Sequence, residues 1–137
     1  MKFVVIGGAG FLGTELVQCL LQDKHEVVVY DKLLHSNLTD VPRNVTFIHD
    51  DVANFSKHKN ILKDTKGVFY LAGPRLGEIK EQSVIDSELS NLKIFLQILK
   101  EYSATLIYTS SCSVYGSSGG DFNENSPTEV TSLYSKL

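Results

Sequence analysis

Short runs of consecutive apolar residues alternate with amphipathic segments along most of the chain. Continuous apolar runs rich in β-branched residues predict strands buried on both faces, as in a parallel sheet. Five such runs occur, at residues 3–6, 26–30, 45–48, 67–72 and 105–109. Apolar residues at helical spacing predict three helices, over residues 11–23, 54–62 and 84–102. This alternation predicts one α/β domain over residues 1–137, a doubly wound, Rossmann-like parallel sheet with strand order 3-2-1-4-5.

The pattern ends abruptly after the fifth predicted strand. Residues 110–127 are rich in Ser, Gly and Asn, which predicts a loop. Residues 131–137 predict only the first turn of another helix. We therefore expect an architecture that is truncated before its later strands.

A glycine-rich turn, Gly7-Gly-Ala-Gly10-Phe11-Leu12-Gly13, lies between the first predicted strand and the first predicted helix. In such a turn one glycine permits the tight bend, the next lets the backbone approach a pyrophosphate, and the third lets the helix pack closely on the strand. The N–H groups at the helix start attract phosphate charge. The strand–turn–helix context favours a dinucleotide site, and a glycine-rich turn without a ligand is the alternative.

An acidic residue, Asp31, follows the second predicted strand, eighteen positions after Gly13. A carboxylate at this place can accept hydrogen bonds from both ribose hydroxyls of an adenosine. It would repel the 2′-phosphate of NADP, and Lys32 beside it would weaken that repulsion. These residues predict NAD as the cofactor, and the alternative for Asp31 is a solvated turn residue.

Asp51 and Val52 follow the third predicted strand, at the same carboxyl edge of the sheet. Ligands of open α/β sheets bind at that edge. Asp51 is expected to bond the adenine amino group while Val52 packs on the ring. A cap for the helix that begins near Asn54 is the alternative.

Composition argues against several other classes of partner. The formal net charge of −3 argues against nucleic acid, which demands a basic surface. No apolar stretch is long enough to span a bilayer, and the first apolar run lacks a secretory cleavage site. We therefore expect a cytoplasmic protein without a membrane partner. The cysteines and histidines have no metal-ligand spacing, so no metal site is expected.

Taken in order, these segments resemble the extended short-chain dehydrogenase/reductase family, specifically its NAD-dependent nucleotide-sugar epimerases and dehydratases. The resembling segments are the turn at 7–13, Asp31, Asp51-Val52, Val68–Gly73, Asn91, Thr109–Gly116 and Pro127–Lys136. The Ser-Ser-x-x-Val-Tyr-Gly element within residues 110–116 is fairly specific to this family.

The resemblance implies a reaction and a set of roles. The family's reaction is transient oxidation of a sugar hydroxyl by NAD, so the implied substrate is a nucleotide-sugar. Leu71, Ala72 and Gly73 would pass along the cofactor. Ser111 matches the family's catalytic serine or threonine, the alternative being a serine that caps the end of the fifth strand. Lys136 matches the lysine that holds the nicotinamide ribose and lowers the pKa of the catalytic tyrosine.

The catalytic tyrosine of the family has no complete match. In the pattern Tyr-x-x-Ser-Lys, Ser135 and Lys136 fit the end and leave Ser132 at the tyrosine position. A serine hydroxyl is too weak an acid to replace a tyrosine. Tyr134 is the alternative, but its lysine would then lie beyond Leu137. On either alignment the tyrosine–lysine pair is incomplete.

The resemblance also implies that the family's second half, with most of the sugar-nucleotide pocket, is missing. Such a site would be open to water, which hinders hydride transfer. Three functions follow as hypotheses: the NAD-binding part of an epimerase or dehydratase, an inactive module that binds NAD or docks to another protein, and a structural domain without a ligand. The helix at 84–102 resembles the family's dimerisation helix, so a homodimer or docking face is expected there.

Overall fold

A five-stranded parallel sheet forms the centre of the fold in the computed structural model of the chain, which describes residues 1–116 and 120–137. The strands are β1 (Lys2–Ile6), β2 (Glu26–Asp31), β3 (Thr46–His49), β4 (Thr65–Tyr70) and β5 (Thr105–Tyr108). Their order is β3-β2-β1-β4-β5, and each neighbouring pair is parallel. The predicted strand order is confirmed, and all five carboxyl ends lie at one edge of the sheet.

Two α-helices connect strands, α1 (Phe11–Gln22) and α2 (Gln82–Leu99). Both confirm predicted helices within a few residues. The segment Val52–Leu62 is a 3₁₀ helix, a tighter winding than the predicted α-helical spacing. Its Asn, Ser and His residues explain the difference, because they have low α-helix propensity and compete for backbone hydrogen bonds.

One face of the sheet packs against α1. Val5 of β1 and Val29 of β2 lie side by side in register and are fully buried. They belong to one apolar cluster with Val17 and Leu20 of α1. The helix therefore follows β1 closely, and its first turn is held over the carboxyl ends of β1 and β2.

The opposite face carries aromatic side chains, because successive residues of a strand point to opposite faces. Tyr30, next to Val29 in β2, contacts the Phe55 ring at 5.3 Å between centroids. Phe95 of α2 contacts Phe55 at 4.9 Å and Tyr70 of β4 at 5.2 Å. The 3₁₀ helix and the end of α2 thus cover this face.

The chain divides into two compact units. The first comprises Met1–Gly73 with Lys93–Thr109, and so contains the whole sheet and α1. The second comprises Pro74–Leu92 with Ser110–Leu137. Within the second unit a 3₁₀ turn, Cys112–Tyr115, forms inside the segment predicted to be a loop. Across the described parts of the chain, no helix is long and apolar enough to cross a membrane.

Candidate functional site

The glycine-rich turn has the geometry that its spacing predicts. Gly7 has a φ of +81°, and a Cβ there would lie 2.8 Å from the Ala72 nitrogen. Gly13 is buried, and a Cβ there would lie 2.6 Å from Gly8 Cα. A Cβ at Gly10 would have only the Gly7 carbonyl oxygen nearby, at 3.3 Å. Gly7 and Gly13 are therefore required by the fold itself, whereas the surroundings of Gly10 leave space.

Gly8 is a position that sequence reasoning gave no role. A Cβ there would lie 2.8 Å from Val29 Cγ1, so Gly8 lets the turn pack directly on β2. The signal was present in the sequence as a fourth glycine, but only the structure shows which neighbour requires it.

The start of α1 presents backbone N–H groups outward. Gly10 is the N-cap residue and forms no side-chain capping bond. The first helical hydrogen bond is donated by the Thr14 N–H to the Gly10 carbonyl at 2.9 Å. The N–H groups of residues 11–13 precede that bond, so no carbonyl of the helix can accept from them. The side chains of Phe11 and Leu12 are 89% and 63% exposed. This helix start can therefore receive an anion.

Asp31 lies directly beside this turn. One oxygen of its carboxylate accepts a hydrogen bond from the Ala9 N–H at 3.0 Å, and the other accepts from the Leu33 N–H at 2.8 Å. The two bonds fix the plane of the carboxylate at the end of β2. Each oxygen of a carboxylate can accept a further bond, so the group retains capacity for ribose hydroxyls.

Of the two roles weighed for Asp51, the structure shows the capping one. Its Oδ1 accepts from the Ala53 N–H at 3.0 Å, which makes it the N-cap of the 3₁₀ helix that begins at Val52. Its Oδ2 pairs with Lys32 Nζ at 3.2 Å. The capping alternative is therefore seen in the structure. The bond to adenine stays a prediction, and Lys32 contacts Asp51.

Asp50 is a residue that sequence reasoning missed. Its carboxylate contacts His58 Nε2 at 2.8 Å and accepts from the Asn54 side chain and the Asp51 N–H, both at 2.8 Å. These hydrogen bonds, the one with His58 first, lower the pKa of Asp50 to about 2. Burial, aided by the charges of Asp50 and Asp51, raises the pKa of the Tyr30 phenol, so its hydroxyl donates to the Asp51 carbonyl at 2.9 Å.

The lowered pKa of Asp50 predicts a dependence of stability on pH. A carboxyl group whose pKa is lower in the folded state stabilises the fold above its unfolded pKa, and that contribution disappears as the pH falls through the folded value. We expect Asp50→Asn to be less stable than the parent chain at about pH 7, with the difference shrinking between about pH 4 and pH 2. Thermal unfolding of both chains across this range measures it. A difference independent of pH would contradict the assignment.

The segment after β4 faces the glycine turn. The sequence predicted a strand at residues 67–72, but β4 ends at Tyr70, so Leu71, Ala72 and Gly73 follow the strand. The Leu71 N–H still bonds the Ile6 carbonyl at 2.8 Å, which holds this segment beside Gly7. The structure therefore brings Leu71 and Ala72 to the same edge as the turn and Asp31.

Ser111 lies in the second compact unit, where it is the N-cap of the 3₁₀ turn Cys112–Tyr115. Its hydroxyl oxygen accepts from the N–H and the hydroxyl of Ser113, at 3.2 and 3.0 Å. In both contacts Ser111 is the acceptor. Its own hydroxyl hydrogen takes part in neither, so the capping role leaves a donor that a substrate could use.

The end of the chain forms a reciprocal serine pair. The Ser132 hydroxyl accepts from the Ser135 N–H at 3.1 Å, and the Ser135 hydroxyl accepts from the Ser132 N–H at 3.0 Å. The two hydroxyls thus each bind the backbone N–H of the other serine, while Leu133 is the N-cap residue of the 3₁₀ turn that follows. Tyr134 and Lys136 belong to the short 3₁₀ turn that follows, and Lys136 Nζ donates to Gln82 at 2.8 Å.

Two comparisons of the sequence with known proteins bear on this site. The sequence profile of the NAD dependent epimerase/dehydratase family matches residues 3–137. The UDP-glucose 4-epimerase of Klebsiella pneumoniae is 32% identical over 129 residues, which are 85% of this chain and 93% of that protein. The UDP-glucose 4-epimerase of Neisseria meningitidis serogroup B is 26% identical over 97% of this chain and 44% of its own length.

A solved structure matches the fold at similar coverage. It is the dTDP-glucose 4,6-dehydratase from Bacillus anthracis in complex with NAD, with a TM-score of 0.84 and 27% sequence identity. The match covers 99% of this chain and 46% of that one. The chain thus spans less than half the length of the Neisseria and Bacillus proteins.

Proposed function

The chain belongs to the NAD-dependent epimerase/dehydratase family, and from that premise we propose that it is the NAD-binding domain of a nucleotide-sugar epimerase or dehydratase. The observation that carries the proposal is the open helix start at residues 11–13 beside the fixed carboxylate of Asp31. The first can hold a pyrophosphate and the second a ribose, the two parts that an adenine dinucleotide presents together.

The remaining residues at this edge complete the proposed cofactor site. Asp51 would bond the adenine amino group and Val52 would pack on the ring, while residues 71–73 would border the cofactor beyond Gly7. When bound, NAD would accept a hydride from the sugar and return it. In its two contacts with Ser113 the Ser111 hydroxyl is the acceptor, so its hydrogen can be donated to a sugar hydroxyl, which supports its proposed role.

Titration calorimetry tests the cofactor proposal. We expect the chain to bind NAD, and Gly10→Ala to bind it about fivefold to tenfold more weakly, because a methyl group would enter the space left for the pyrophosphate. Gly77→Ala is the matched control, since nothing lies within 4 Å of a Cβ there. Absence of NAD binding at about millimolar concentration would refute the proposal and favour a structural domain.

A second candidate is a catalytically inactive module that binds NAD or docks to a partner. The observation that favours it is the reciprocal Ser132–Ser135 pair, because the hydroxyl of Ser132, the residue aligned with the catalytic tyrosine, binds the backbone N–H of Ser135. If Tyr134 is the catalytic base instead, the residue that follows Leu137 in the reading frame must be lysine. The two alignments are therefore separable by sequence.

A product assay separates the two candidates. We expect this chain, incubated with NAD and UDP- or dTDP-sugars, to yield no epimerised or dehydrated sugar, because Ser132 occupies the tyrosine position before Ser135 and Lys136 and its hydroxyl is too weak an acid to replace a tyrosine. Clear turnover, absent from Ser111→Ala, would contradict that expectation and support an active enzyme.

A homodimer through residues 84–102 stays a proposal. Several apolar residues of this helix, Ile85, Phe95, Ile98 and Leu99, are buried within the chain itself, while Ile94 is 48% exposed. Sedimentation of the parent chain and of Ile94→Lys tests it, since a charge on a dimer face would shift the mass towards the monomer.

A further inference from the structure

A hydrogen-bonded cluster behind the adenine end of the proposed site has no assigned role. Asp50 is its centre. One carboxylate oxygen accepts from the Asp51 N–H and from Asn54 Nδ2, each at 2.8 Å. The other contacts His58 Nε2 at 2.8 Å. His58 lies more than two turns along the 3₁₀ helix from Asp51, so the contact joins the middle of this helix to Asp50, which follows β3.

The chemistry of the pair fixes where its proton lies. An ionised carboxylate can only accept hydrogen bonds, so Nε2 of His58 must carry a hydrogen. Nε2 carries it both in imidazolium and in the matching neutral tautomer. With its pKa lowered to about 2, Asp50 is ionised at ordinary pH and accepts this hydrogen. The His58 ring also contacts the Tyr30 ring edge-on, at 5.6 Å between centroids.

The cluster holds the backbone of Asp51, the residue proposed to bind the adenine amino group. The Asp51 N–H is bound by Asp50, and its carbonyl accepts from the Tyr30 hydroxyl at 2.9 Å and the Asn54 N–H at 2.8 Å. Both backbone groups of Asp51 are thereby fixed. Its carboxylate, held by Ala53 and Lys32, still has lone pairs for one further donor.

We propose that Asp50 and His58 are positioning residues that set the base specificity of the dinucleotide site by aiming the Asp51 carboxylate at the exocyclic amine of adenine. This inference rests on the proposed function. It goes beyond that function in assigning base discrimination to two residues that would not touch the cofactor. The amine is a donor that fits a carboxylate, whereas the carbonyl of hypoxanthine at the same place is an acceptor that does not.

The test compares NAD with nicotinamide hypoxanthine dinucleotide by titration calorimetry, since the chain contains no tryptophan for intrinsic fluorescence. We expect the parent chain to prefer NAD by about tenfold or more, the size of one charge-assisted hydrogen bond. In His58→Phe, which keeps a ring beside Tyr30, the preference should fall below about threefold. Affinity for the hypoxanthine analogue should change less than about twofold.

Two further variants separate positioning from stability. His58→Gln retains a side-chain N–H donor and should restore the preference to within about threefold of the parent chain. Lys59→Ala is the matched control, because it removes the exposed ion pair with Glu101 from the same 3₁₀ helix and should leave the preference unchanged. Should His58→Phe fail to fold, Asn54→Ala removes the other side-chain donor to Asp50 and carries the same expectation.

The outcomes are distinguishable. If the parent chain binds NAD but His58→Phe weakens both dinucleotides by the same factor, the cluster is only structural and the inference is overturned. An unchanged preference in that variant overturns it as well. If the parent chain binds neither dinucleotide, the proposed function fails and the inference falls with it.

Discussion

Replacing Gly13 by alanine is expected to lower the free energy of unfolding by about 3 kcal/mol, the upper part of the range for overpacked cores. The added Cβ would lie 2.6 Å from Gly8 Cα and 2.7 Å from the Gly8 carbonyl carbon. Both are backbone atoms, so no side-chain rotation can relieve the clash. α1 would have to move away from the turn, and its N–H groups would move with it. We therefore also expect NAD binding to weaken by at least about tenfold.

Urea denaturation followed by far-UV circular dichroism measures the stability effect, and calorimetry measures the binding. Gly77→Ala is again the control, because a Cβ there meets no atom within 4 Å and alanine restricts the unfolded chain more than glycine does. Its stability should be equal to or slightly above that of the parent chain. A Gly13→Ala chain with the parent urea midpoint would show that the helix does not depend on this close approach.

Much of the sheet could be predicted because its strands are buried on both faces and therefore appear as uninterrupted apolar runs. β4 was placed two residues too late, since it begins with Thr65 and Lys66, which interrupt the apolar pattern. Thr65 is buried nonetheless, and its hydroxyl donates to the Ile61 carbonyl at 2.8 Å. A polar residue satisfied in this way gives no signal in a hydrophobicity pattern.

The long helix shows a similar limit. Leu89, Leu92 and Leu96 belong to the apolar residues at helical spacing but are only half-buried, whereas Phe95 is completely buried. The difference comes from the aromatic cluster on the sheet, where Phe95 fits between Phe55 and Tyr70. The spacing of apolar residues identifies a helix, whereas the shape of the surface it packs against decides which of its apolar side chains are most deeply buried.

The candidate site likewise contains one feature that the sequence predicts and one that it does not. The glycine turn could be predicted because its function requires backbone conformations that glycine alone adopts easily, as at Gly7. The Asp50–His58 contact could not, because its residues are eight apart in a segment whose winding the sequence does not reveal. Local motifs are therefore visible in sequence, whereas contacts set by packing are not.

Replacing Asp31 by asparagine is expected to change the choice between NAD and NADP. The carboxylate is fixed by the Ala9 and Leu33 N–H groups at the end of β2, where it would accept from both ribose hydroxyls and repel a 2′-phosphate. We expect the parent chain to prefer NAD by about a hundredfold, and Asp31→Asn to reduce that preference to about tenfold or less. Affinity for NAD itself should fall about tenfold, since asparagine offers a single acceptor oxygen for the ribose and the two N–H groups together.

The control for this change is Asp23→Asn, which removes the same charge from the C-cap of α1, at the opposite end of the helix. Because it alters net charge equally, it should leave the ratio of the NADP and NAD dissociation constants unchanged if contact with the ribose is what matters. Calorimetric titration of the three chains with both dinucleotides gives that ratio directly. Equal ratios in Asp31→Asn and Asp23→Asn would mean that Asp31 does not contact the ribose. Its role would then be to hold the glycine turn against β2 through its bonds to Ala9 and Leu33.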